Sequence, residues 1–164
     1  MGQVFMLALL LLGSTRNVLS ARQESEAASY RLSRIRAQLF YDDRGTFSRN
    51  ILSEPGSPHF NLFNVIIGGG SAEGGSHSTL VVVEVTGEPG AFEVGRSVEL
   101  TATVGGRVTL RQAVDLGPLS DRGRRFIGFW LYDTGCRPVS LSARVLGQRQ
   151  PSTIRAEIPF ICGE

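Results

Sequence analysis

Residues 64–85 read NVIIGGGSAEGGSHSTLVVVEV, a glycine-rich run between two β-branched runs. Such a run raises the question of a phosphate-binding loop. A dinucleotide fingerprint needs G-x-G-x-x-G between a strand and a helix. Gly68, Gly70 and Glu73 fall on those three places, so the third glycine is missing. A Walker loop needs a lysine after its last glycine, and the chain contains no lysine. From Ser78 onward the sequence is β-branched, so no helix N-terminus is offered to an anion. The run is expected to be a mobile connection between two strands, placed where a loop can make contacts.

Other chemistry-bearing residues are sparse. Arg122, Arg124 and Arg125 form the densest basic cluster (DRGRR), a candidate grip for sulfate, phosphate or a carboxylate-rich partner. With Asp121 beside them, they equally suit a solvated turn. The aromatic run at 126–132 (FIGFWLY) follows directly. Phe126, Phe129, Trp130 and Tyr132 are expected in the core. The alternative for Trp130 is the face opposite Phe129, where it would serve as a binding anchor. His59 and His77 are the two histidines, both in expected loops, and no metal site is expected from them. Asp42, Asp43, Asp121 and Asp133 fall in turns or at strand ends, without the acidic ladder of a calcium loop. Serine is plentiful, but no G-x-S-x-G elbow occurs. No catalytic residue and no cofactor is expected, so the chain reads as non-catalytic.

The elements that must position these residues begin with a targeting segment. Residues 4–13 (VFMLALLLLG) are apolar over about ten residues, the length of a signal-peptide core and half of a membrane span. Val18 and Ser20 fit the small positions before a cut, so residues 1–20 are expected to be a signal peptide. Residues 21–30 would be a flexible leader and 31–164 a single domain. No stable membrane span is expected after cleavage, and the protein is expected to be secreted, periplasmic or otherwise extracellular. Cys136 and Cys162 are the two cysteines, and in an exported chain they are expected to form one disulfide.

All 17 basic residues are arginine, against 15 Asp plus Glu. Removing residues 1–20 takes out one arginine and no acid, leaving a nearly neutral chain for which no nucleic-acid partner is expected. Hydrophobic residues make up 41% of the chain and charged residues 20%, enough apolar matter for a folded core.

Past the leader the apolar period is two. Ile35, Ala37, Leu39 and Tyr41 alternate with polar residues; so do Val98, Leu100, Ala102 and Val104, and again Val139, Leu141, Ala143 and Val145. Each alternation predicts a strand with one wet face. Residues 80–85 (LVVVEV) predict a central strand, and 126–132 a similar one rich in aromatics. Turn-forming residues separate these runs, and Gly105-Gly106 predicts a tight hairpin. The predicted strands are 33–41, 46–52, 60–67, 78–86, 97–104, 107–114, 125–133, 139–147 and 153–161. Seven to nine short strands at such spacing indicate an antiparallel β-sandwich, with immunoglobulin-like or fibronectin-like architecture the nearest.

The expected function is therefore a non-catalytic exported module for interaction or structure, with an unknown protein or surface ligand. The alternative is a small secreted hydrolase or a carbohydrate-binding protein on the same fold.

Overall fold

In the computed structural model, residues 29–52, 63–64, 70–71, 74–133 and 137–162 are described. In chain order the strands are β1 (Arg31–Tyr41), β2 (Thr46–Phe47), β3 (Phe63–Asn64), β4 (Gly70–Ser71), β5 (Gly74–Gly75) and β6 (Ser78–Thr86). They continue with β7 (Ser97–Val104), β8 (Arg107–Asp115), β9 (Arg124–Tyr132), β10 (Val139–Leu146), β11 (Thr153–Ile158) and β12 (Ile161–Cys162). No helix occurs among the described residues.

Two four-stranded antiparallel sheets carry the architecture. The first has the order β2-β1-β6-β9 and the second β11-β10-β7-β8. The period of two explains why they face each other. In β10, Val139, Leu141, Ala143 and Val145 are buried, while Ser140 and Arg144 are exposed. Val98, Leu100 and Ala102 of β7 join them from the second sheet. Ile35, Ala37, Leu39, Val81, Val83, Val85, Ile127, Phe129 and Leu131 meet them from the first, in one continuous core. Burying a side chain of the Val, Leu or Phe class stabilises the fold by about 1.5–3 kcal/mol. The result is an all-β sandwich. β7 and β8 are joined by the expected hairpin, with positive φ at both Gly105 (54°) and Gly106 (81°), as a two-residue turn matched to strand twist requires.

The layers are also stitched by side chains. Gln148 stands in for a neighbouring strand: its amide oxygen accepts from Tyr30 N–H (3.2 Å) and its amide nitrogen donates to Tyr30 C=O (3.1 Å). Ser152 Oγ accepts from Leu32 N–H (2.9 Å). Tyr30, in the segment expected to be a leader, is itself buried in the core. Burial pushes its phenol pKa up, and the nearby Glu93 carboxylate adds to the effect, while Arg96 and the Glu93 backbone oppose it.

Three expectations need correction. Residues 46–52 are a strand only at Thr46–Phe47. Beyond that the chain still follows β1, with Ser48 N–H donating to Leu39 C=O and Ile51 N–H to Ala37 C=O. The side chains of Ser48 and Asn50 take over the remaining ladder positions, accepting from Leu39 N–H and Ala37 N–H. The last predicted strand, 153–161, stops at Ile158, because Pro159 has no N–H to donate. Ile161–Cys162 then pairs in parallel with Phe63–Asn64. The aromatic run at 126–132 occupies the end of its sheet instead of a central place.

Candidate functional site

Alternation along β9 sends Ile127, Phe129 and Leu131 into the core and Phe126, Trp130 and Tyr132 outward. The expectation that all four aromatics lie in the core is therefore wrong for three of them. Phe126 is 52% exposed, Trp130 36% and Tyr132 65%, against 1% for Phe129. The physical reason is that, among the described residues, no second layer packs on this side of the first sheet. Trp130 has the alternative position, opposite Phe129.

Register assembles the neighbours. Tyr132 lies across from Ser78, Ser78 across from Phe40, and Phe40 across from Phe47. Leu80 stands between Gln38 and Trp130. The rings then touch in sequence. Phe40 and Phe47 have centroids 5.2 Å apart, and Phe40 meets Trp130 edge-on at 5.9 Å. Phe47 lies 6.1 Å from Trp130, and Trp130 stacks on Tyr132 at 6.3 Å with an interplanar angle of 19°. These separations suit offset and edge-to-face aromatic pairs.

The other end of the same face is cationic. The Arg36 guanidinium lies 5.6 Å above the Phe126 ring centroid. Arg34 sits beside Glu84, which is paired with Arg124 at 3.8 Å. The face thus grades from exposed rings to arginines, the residue types that dominate binding hot spots.

The arginine cluster of the sequence does not converge on one point. Arg124 turns to Glu84, whereas Arg125 donates to Pro118 C=O at 3.2 Å. Arg122 stays exposed in the turn. A shared anion grip is therefore not built by these three. Neither a protein-family model nor a curated protein matches this chain.

The remaining candidates are dispersed. Gly70–Ser71 pairs with Gly74–Gly75, so the described part of the glycine run is a small antiparallel ladder; Gly68 and Glu73 lie outside the described residues. His77 is exposed, and its carbonyl accepts from Asp133 N–H at 3.3 Å. Asp42 and Asp43 are exposed in one turn, Asp121 in another, and Asp133 directly after β9. Among the described residues no three His, Cys, Asp or Glu side chains gather where they would hold a metal ion. Nor is any helix among them long and apolar enough to cross a membrane. Residues 1–20, His59 and Cys136 lie outside the described residues, so the signal peptide and the Cys136–Cys162 bridge are not placed.

Phe40 and Phe47 are the site residues that the sequence reading missed. A signal for Phe40 was present: it ends the polar register of β1, after Arg34, Arg36 and Gln38. An aromatic on the wet side of an alternating strand marks a face with something to cover.

Proposed function

We propose that this chain is an exported, non-catalytic interaction module. It would bind a protein partner through the outer face of the first sheet. The observation that carries the reading is the outward ring cluster in which half-buried Phe40 joins exposed Phe47, Trp130 and Tyr132, bordered by Arg36 and Arg124. Monomeric surfaces rarely leave contiguous aromatic area uncovered without a use for it.

The finer architecture belongs to the same reading. Strand order β1-β6-β9 facing β11-β10-β7-β8 supports an immunoglobulin-like, fibronectin-like sandwich, because it follows the A-B-E and G-F-C-C′ neighbourhoods of that group. The apolar segment at 4–13 and the two cysteines support export with a Cys136–Cys162 bridge. A second reading, carbohydrate binding, is favoured by one observation, the stacked Trp130 and Tyr132 rings, since sugar faces pack against such surfaces.

One experiment addresses these points together. Protein recovered from outside the cytoplasm of the native host is weighed intact, then immobilised as bait for extracellular proteins and for soluble glycans. The expected mass lacks residues 1–20 and two hydrogens. The expected bait retains a protein partner, loses it in Trp130→Ala, and keeps it in Arg144→Ala on the opposite sheet. Equal capture by both variants would overturn the proposed face; retention of glycans alone would transfer the reading to carbohydrate; a cytoplasmic protein that keeps Met1 would remove export.

A further inference from the structure

The two edges of the first sheet end differently. At the β1 edge, the outward-facing backbone groups of Ala37 and Leu39 are taken by residues 48–51, through both backbone and side-chain hydrogen bonds. At the β9 edge, two bonds fix which backbone groups turn inward. Asp133 N–H donates to His77 C=O, and Gly87 N–H donates to Gly123 C=O, both in step with the β6–β9 register. Odd-numbered residues of β9 therefore face β6. Backbone direction alternates along a strand, so Phe126, Gly128, Trp130 and Tyr132 turn their N–H and C=O groups away from the sheet. Ser120 N–H donates to Arg124 C=O and so covers only the first of the outward positions. No other described strand pairs with β9 on that side.

Natural sheets protect an open edge with proline, lysine, an inward charge, a bulge or a short strand. β9 runs nine residues, and residues 126–132 contain no proline and no charge. We propose that this edge is occupied by a second copy of the chain, the two β9 strands pairing antiparallel about a twofold axis at Gly128. The inference stands whether or not the aromatic face also binds a foreign partner.

Two features of the sequence select this register. Centred on Gly128, Phe126 of one copy lies opposite Trp130 of the other, and the pair occurs twice; aromatic cross-strand pairs of this kind stabilise antiparallel ladders. Gly128 itself presents no side chain at the axis, where the rings of the two copies converge. An antiparallel twofold pairing is isologous and closes at two copies. It would also run the two ring clusters together across one continuous sheet.

Sedimentation analysis of the purified chain tests the pairing. The expected result is a concentration-dependent dimer that is lost in Gly128→Pro. That substitution removes an outward-facing donor and no bond within the chain. Proline is tolerated at such edge positions, but if the variant does not fold, Phe126→Lys replaces it and is expected to give a folded monomer. A third variant reads the register. Opposite residues of a bonded antiparallel pair have Cα atoms about 5.5 Å apart, inside the disulfide range of about 4.4–6.8 Å. Oxidised Gly128→Cys should then yield a peptide joined to its own copy at position 128. A wild-type chain that stays monomeric up to its solubility limit overturns the proposal. So does a dimer that survives in the folded edge variants, or an oxidised dimer with no link at 128.

Discussion

Arg155, Ser142, Thr101 and Arg111 form one row across the outer face of the second sheet; Phe47, Phe40, Ser78 and Tyr132 form one across the first. Both rows cross the outer sides of sheets whose central strands fill the same core. The polar row shows what the fold requires of an outer face, which is only that it be wet. Rings on the other face are therefore surplus to folding. An alternating strand has two separate jobs, and its inner register can be satisfied while its outer register is spent on recognition. The edges repeat the contrast, with one covered by Ser48 and Asn50 and the other, along β9, paired with no further strand among the described residues.

The largest effect separates neighbours on one strand. Phe129→Ala should lower stability by about 3–5 kcal/mol, the usual cost of emptying a buried aromatic site. Trp130→Ala should lower it by about 1 kcal/mol, the scale of exposed aromatic pairing. Urea unfolding monitored by circular dichroism reads both; equal losses would abolish the distinction between the two registers.

A smaller effect compares the covered edge with the polar face. Ser48 Oγ accepts from Leu39 N–H and donates to Arg49 C=O, and the residue is buried. Ser48→Ala leaves the Leu39 donor without its acceptor and should cost about 1–3 kcal/mol. Arg144→Ala breaks a pair with Glu99 at 2.8 Å in which the arginine is exposed and the glutamate half-buried, and a surface pair of this kind is worth about 1 kcal/mol or less. Midpoints in the same urea assay should fall in that order, and the reverse order would mean that the polar face carries stability after all.

The smallest effect appears only in alkali and belongs to the interior. The phenol of Tyr30 is held above its ordinary pKa of 10.0, chiefly by burial. A raised pKa means that the folded state keeps the proton longer than the unfolded state. Its contribution is thus complete below about pH 10 and is lost as pH rises through the folded value. Tyr30→Phe should flatten the alkaline fall in melting temperature and leave neutral stability nearly unchanged; an unaltered alkaline limb would assign that fall to other groups.

Much of this organisation was legible in the residues. The expected strands 78–86 and 97–104 coincide with β6 and β7, because alternation and flanking glycines fix both ends. Residues 46–52 misled for a physical reason: the segment does run alongside β1, but Ser48 and Asn50 replace backbone partners with side-chain ones. The site was harder to read. Trp130 was legible as one of two parities, yet choosing between them requires knowing which side of the first sheet the second sheet covers. Phe40 and Phe47 come together with it only through register between distant strands, which no local window contains.

The hydrogen bonds between Tyr30 and Gln148 and between Leu32 and Ser152 also set a clock. β1 is made early, but the groups that complete it arrive more than a hundred residues later. At a synthesis rate of about 5–20 residues per second, that wait is on the order of ten seconds. The first sheet can pair once residue 132 exists, with β7 and β8 already made, but the second-sheet strands that pack on β1, β10 and β11, still have to follow. Contacts this distant in sequence also close slowly once the chain is whole. During that interval Ile35, Ala37 and Leu39 remain open to chaperones, and a chain bound for export, as proposed above, would stay threadable for the same reason.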